Sequence, residues 1–135
     1  MEWIQNNIAN MLIIAFVSWV LWKRFLAPKL LGVKSMSAKE YVNFRDTAHT
    51  LLDVRSVGEW GSGHALEARH IPLSELSKRM TEIALQEPIV VICASGNRSA
   101  MAATTLAKSG FATVYNFSGG MAAWHNLDLP VKTDS

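Results

Sequence analysis

Residues 89–92 read Ile-Val-Val-Ile, four β-branched apolar side chains in a row between Pro88 and the single cysteine, Cys93. A strand with one wet face alternates apolar and polar residues, so this one must be covered on both faces. Such a strand belongs in the middle of a parallel sheet with helices on either side. The flanking segments fit that frame. Ser37-Ala38-Lys39-Glu40 is a capping box and predicts a helix over 38–45. Thr50 to Val54 predicts a second short buried strand. Gly58, Gly61 and Gly63 predict an irregular loop. A third strand is expected over 69–71, stopped by Pro72, then a helix capped by Ser74 and running to Met80. A helix over 98–108 with Gly110 as its C-cap, a strand over 113–116 and a short helix over 121–126 complete the pattern. Strands alternating with helices imply an α/β three-layer domain around a central, mostly parallel sheet.

The N-terminal segment is different. Residues 8–22 read IANMLIIAFVSWVLW, with only Asn10 and Ser18 polar. Extended from Ile4 to Phe25 the run makes roughly 33 Å of helix at 1.5 Å per residue, enough to cross a hydrocarbon core. Trp3, Trp19 and Trp22 lie near its ends, where interfacial aromatics belong. A cleavable signal peptide wants positive charge before the apolar run and small residues after it; here Glu2 precedes it and Lys23 and Arg24 follow. A buried helix of the domain would show a polar face, and this segment shows none. The expected organisation is a transmembrane anchor over 1–27, a basic linker over 28–33 containing Pro28, Lys29 and Gly32, and a domain over 34–135. By the positive-inside rule the domain lies on the cytoplasmic side, which also suits a lone free thiol.

Charge and cysteine count exclude several functions. Lys23, Arg24, Lys29 and Lys34 make one basic cluster, while residues 35–135 hold nine basic and ten acidic residues. No basic domain face is implied, and nucleic acid is not expected as a partner. One cysteine allows no internal disulfide, and no Cys/His spacing suggests a metal or cofactor site.

The chemistry is expected in the loop after the central strand. In open α/β sheets, reactive groups gather at the carboxyl ends of strands, where Cys93 sits. Ala94-Ser95-Gly96-Asn97 then leads into a helix beginning near Arg98 or Ser99. The helix N-terminus offers unpaired N–H groups and partial positive charge, Arg98 adds a full charge, and the small loop residues let backbone N–H groups turn inward as an anion nest. All three favour thiolate over thiol. Gly96 is expected at the positive φ that a tight loop needs. A thiolate in such a nest can attack a sulfane sulfur, and the same N–H groups would stabilise the resulting persulfide.

These residues resemble the rhodanese family over about residues 34–130. The family's active-loop pattern, Cys-x-x-Gly-x-Arg, matches Cys93-Ala94-Ser95-Gly96-Asn97-Arg98. Leu51-Leu52-Asp53-Val54-Arg55 followed by Glu59-Trp60, the segment 63–76 and the Gly119-Gly120-x-x-x-Trp124 motif are similar to family motifs in the same order. The resemblance implies a sulfurtransferase that carries sulfur on Cys93. Its donor would be a small sulfur anion or a persulfide, its acceptor cyanide, a thiol or a protein. A lipid bilayer, a membrane-protein partner and a bacterial inner membrane are also expected. Ala94 stands where thiosulfate-using members often carry arginine, so the donor site has one less positive charge. Ala65, Leu66 and Glu67 replace the more usual Ile, Pro and Gly.

By the same resemblance, Asp53 lies near the active loop and Arg55 pairs with Glu59. Asp53 has equal claim to a structural role. His64 is read chiefly as a hydrogen-bonded loop anchor, with proton shuttling as the alternative, and Ser99 either caps the helix or donates to the sulfur. Trp60 and Trp124 are read as core.

Two other functions fit parts of the pattern. A phosphatase or arsenate reductase on this fold uses Cys-x5-Arg, because a tetrahedral oxyanion needs a wider loop; here Arg98 is the fifth residue after Cys93 and Ser99 the sixth. A non-enzymatic, membrane-tethered interaction or sensing module would not need the Cys, Gly and Arg to be intact. Gly61-Ser62-Gly63 lacks the Lys-Ser/Thr that a phosphate-binding loop requires.

Overall fold

The structure, a computed structural model, describes residues 2–23 and 32–133. Arg24, Phe25, Pro28 and Lys29, to which the sequence assigned the end of the anchor and most of the linker, lie outside the described residues. The chain divides into two compact units between residues 31 and 32.

The first unit contains α1, Glu2–Leu21, a 20-residue helix with no buried residue and apolar side chains exposed all round. At 1.5 Å per residue it is about 30 Å long, and it is long and apolar enough to cross a membrane. Lys23 Nζ lies 5.1 Å from the Trp19 ring centroid, within reach of a cation–π contact.

The second unit is built on a five-stranded sheet of β1 (Val33–Met36), β2 (Thr50–Asp53), β4 (Arg69–His70), β5 (Ile89–Ile92) and β6 (Val114–Phe117), in the order β1-β6-β5-β2-β4. Every pairing in it is parallel. As its sequence demands, β5 lies at the centre and all four of its residues are buried. Side chains alternate across a strand, so Val90 and Ile92 enter the cluster made with Tyr41 of α2 (Ala38–Phe44) and Trp124 of α6 (Gly120–Asn126). On the other face α5 (Asn97–Lys108) packs across β5 and β6. The Tyr41, Phe117 and Trp124 rings meet with centroids 5.4–5.8 Å apart. Full burial of side chains of this size stabilises the domain by about 1.5–3 kcal/mol each. The Tyr41 hydroxyl keeps a partner in His49 Nε2 at 2.8 Å.

Some elements depart from the sequence reading. The capping box at Ser37 and Glu40 forms as expected. A second one, Ser56 with Glu59, turns the expected glycine loop into the short helix α3, Val57–Gly61; the cap outweighs the helix cost of two glycines. Ser74 caps nothing: the chain leaves Pro72 as a 3-10 turn over Leu73–Glu75, then α4 (Leu76–Arg79) and another 3-10 turn over Met80–Glu82. The edge strand β1 begins at Val33, inside the stretch read as linker, because its four residues pair with β6. A two-stranded antiparallel ribbon, β3 (His64–Ala65) with β7 (Val131–Lys132), was not expected.

Candidate active site

β2 and β5 are neighbours in register, with Asp53 opposite Ile92, so Asp53 and Cys93 emerge at the same carboxyl edge of the sheet. The loop between β5 and α5 is tight. Gly96 is the N-cap residue, at φ +104°, ψ −10°, a left-handed conformation that glycine adopts without penalty. Ser99 is therefore not the cap. It is the third residue of the helix, fully buried, and its N–H points back at the sulfur.

Three groups surround Cys93 Sγ. The Gly96 N–H donates to it at 3.1 Å and the Ser99 N–H at 3.3 Å, and the Ser99 hydroxyl lies 3.3 Å away. Burial pushes the thiol up, but the Ser99 hydroxyl and the N–H groups of Ser99, Ser95 and Gly96 outweigh it, and Cys93 ionises below the ordinary thiol range. The side chains of Ser95 and Asn97 are exposed, and of the two only the Ser95 backbone N–H bears on the sulfur. Ala94 is half-buried and brings no charge.

The loop rests on the turn before α6. The Met121 N–H donates to the Cys93 carbonyl at 2.8 Å. Gly120, at φ +55°, approaches so closely that a Cβ there would run into the Cys93 carbonyl oxygen and lie 2.5 Å from the Ala94 carbonyl carbon and oxygen.

The ion pairs are partnered differently from the sequence reading. Arg55 pairs with Asp53, not Glu59: its Nε lies 3.1 and 3.0 Å from the two carboxylate oxygens and its Nη2 donates to the Gly63 carbonyl at 2.7 Å. Asp53 Oδ1 also accepts the Arg55 N–H at 2.9 Å. A two-residue separation at a strand end suffices for this pair, and both members are buried. Glu59 reaches across 39 positions to Arg98, with bonds of 2.6 and 2.9 Å. That pairing, with help from Ser56, holds the Glu59 carboxyl at about 2. The fork-to-fork geometry fixes the guanidinium beside the loop and matches much of its charge. Backbone N–H groups, more than Arg98, are then the direct support of the thiolate.

His64 is buried, donates Nδ1–H to the Trp60 carbonyl at 3.0 Å and stacks on the Trp60 ring at 3.4 Å. His70 stacks on Trp60 at 4.6 Å and donates Nε2–H to the Arg55 carbonyl at 2.8 Å. These contacts tie α3 to β3 and β4.

One residue at the site had no part in the sequence reading. Asn116 on β6 accepts the Ser99 hydroxyl on Oδ1 at 2.5 Å and donates Nδ2–H to the Gly96 carbonyl at 3.2 Å. The only sequence signal for it is its position near the carboxyl end of the strand next to β5. Among the described residues no group of three or more His, Cys, Asp or Glu side chains is placed to hold a metal ion.

Known proteins fit this geometry. The rhodanese-like domain family matches residues 37–127. YqhL of Bacillus subtilis, an uncharacterized protein, is 33% identical over 121 residues, which cover 89% of this chain and 93% of YqhL. YrkF of the same organism, provisionally named a sulfur carrier protein, is 43% identical over 79 residues, 58% of this chain and 43% of YrkF. A rhodanese-related protein from Thermoplasma volcanium superimposes with a TM-score of 0.68 at 33% identity, over 75% of this chain and 99% of that one. A rhodanese-like domain protein from Staphylococcus aureus does so with a TM-score of 0.68 at 28% identity, over 76% and 99%. The chain belongs to the rhodanese-like domain family.

Proposed function

We propose that this protein is a membrane-anchored sulfurtransferase with Cys93 as its sulfur-carrying nucleophile. The family match and the similarity to YrkF support sulfur transfer at family level. The observation that carries the assignment to Cys93 is the pair of N–H groups, from Gly96 and Ser99, directed at its sulfur. With thiosulfate, Cys–S⁻ attacks the outer sulfur, the S–S bond of the donor breaks, and sulfite leaves with the bonding pair, giving Cys–S–S⁻. Cyanide then takes the outer sulfur as thiocyanate and returns Cys–S⁻. A thiolate acceptor takes it in the same way and becomes a persulfide. The single cysteine leaves no internal thiol to resolve the intermediate, so the acceptor is a separate molecule. With Ala94 the loop has one cation fewer than it would with arginine, which favours a less charged donor over thiosulfate.

In this reading α1 anchors residues 1–27 in the bilayer, a short linker follows, and the catalytic domain faces the cytoplasm, where a partner in the membrane would meet it. After expression in a bacterium the full chain is expected to stay with the membrane through alkaline extraction, its domain protected from protease in intact cells. Release into the soluble fraction would remove the anchor from the account.

Turnover is tested on the full chain in detergent micelles, with thiosulfate and organic persulfides as donors and cyanide as acceptor. Thiocyanate formation by wild type, absent in Cys93→Ser, is the expected result. Equal turnover by the two proteins would remove Cys93 from the mechanism.

A further inference from the structure

Asn116, Ser99 and Cys93 form a chain of hydrogen bonds in which the donors can be assigned. Asn116 gives Nδ2–H to the Gly96 carbonyl, which has no proton to offer, so the amide nitrogen must face that way and Oδ1 must face Ser99. Oδ1 accepts only, and the 2.5 Å contact therefore consumes the single proton of the Ser99 hydroxyl. Ser99 Oγ then has only lone pairs to offer the sulfur 3.3 Å away, and in this arrangement Cys93 donates Sγ–H to it. Ser99 has no other hydroxyl proton to give, and it is fully buried, so water cannot replace either bond. A thiolate facing the same lone pairs would be repelled.

We propose that Asn116 is a positioning residue that withholds the Ser99 hydroxyl proton from the Cys93 sulfur, so that Ser99 turns to the sulfur only when the thiol has ionised. The proposal rests on the reading of Cys93 as the sulfur-carrying nucleophile. In the step, the Cys93 S–H bond breaks, its proton goes to water, and the hydroxyl of Ser99 rotates about Cβ–Oγ. The Ser99 bond to Asn116 Oδ1 is exchanged for a charge-assisted bond to Sγ. Ionisation thus costs one hydrogen bond at Asn116 and gains a stronger one at the sulfur.

The charged groups near the sulfur do not alter this count. Arg98 on α5 is paired with Glu59 of α3, and Asp53 with Arg55 at the end of β2. The β6 strand presents Asn116, and the turn before α6 presents Gly119, Gly120 and the Met121 N–H, none of which titrates.

The test reads ionisation, not sulfur transfer. Cys93 is the only cysteine, so the pH profile of iodoacetamide alkylation of the full chain reports it alone. Removing the competing acceptor with Asn116→Ala moves the profile to lower pH, with about tenfold more thiolate at a fixed pH on the rising limb, the size of one hydrogen bond. Ser99→Ala moves the profile the other way. Adding Asn116→Ala to Ser99→Ala moves it no further, because Asn116 acts only through Ser99. Asn116→Leu, closer in shape, replaces Asn116→Ala if that variant does not fold.

A profile that moves to higher pH in Asn116→Ala, or that moves equally with and without Ser99, would overturn the proposal. Either result would show that Asn116 acts through its bond to the Gly96 carbonyl and the loop. Alkylation needs no sulfur donor. Shifts as expected in a protein that never takes up sulfur would therefore defeat the sulfurtransferase reading and leave the ionisation network standing.

Discussion

Gly120→Ala is expected to destabilise the domain by about 3–4 kcal/mol, from overpacking against backbone and a left-handed conformation imposed on alanine. The added methyl would overlap the Cys93 carbonyl and lie 2.5 Å from the Ala94 carbonyl. Those atoms belong to the active loop, which the Met121 N–H also holds through the Cys93 carbonyl. Neither side can yield as a flexible side chain would. The folded fraction should therefore carry a displaced loop and take up sulfur poorly. Urea denaturation and sulfur uptake of the full chain would check both effects. Gly58→Ala is the control: it lies in α3 with nothing within 4 Å of the new Cβ, and alanine there should match or exceed glycine in stability. Equal behaviour of the two variants would mean that the close approach at Gly120 is not a constraint on the fold.

The second large effect is expected at Asp53. Its carboxylate is fully buried and holds both the Arg55 side chain and the Arg55 N–H. Asp53→Ala leaves a buried guanidinium with, among the described residues, the Gly63 carbonyl as its partner, and a loss of about 3–5 kcal/mol follows from the uncompensated charge. The double variant Asp53→Leu with Arg55→Met should recover much of that loss, because a buried ion pair replaced by apolar groups is often neutral. Similar losses in the single and double variants would show that the pair does more than satisfy itself. Arg55 also fixes the carbonyl of Gly63, just beyond α3, and α3 carries Glu59, the partner of Arg98. Asp53 thus reaches the active loop through Arg55, the Gly63 carbonyl and α3.

The parts of this fold that were legible in the sequence are those decided by short stretches of chain. Four β-branched residues set off by Pro88 read as a covered strand, and Ile89–Ile92 is the centre of the sheet. The Ser37–Glu40 box starts its helix because both halves of the cap lie within one turn. Cys93 reaches the carboxyl edge because the strand before it and the helix after it are both locally encoded. The Ser56–Glu59 cap is equally local, yet the glycines around it read as a loop.

What could not be read depends on chain segments meeting. β1 has no strand pattern of its own and exists by pairing with β6. Glu59 and Arg98 stand 39 positions apart, and Ser99 and Asn116 stand 17 apart. The resemblance implied Glu59 as the partner of Arg55, and the turn of the chain after β2 gives it Asp53 instead. The resemblance to a family pointed to Cys93; the groups around its sulfur required the fold.

The most direct test of the central claim is the intact mass of the full chain, wild type and Cys93→Ser, after incubation with thiosulfate and with other sulfane donors. Wild type is predicted to gain one sulfur atom that cyanide or a thiol removes, and Cys93→Ser to gain none. No gain with any donor, from folded protein whose Cys93 still reacts with iodoacetamide, would contradict the assignment of Cys93 as a sulfur carrier.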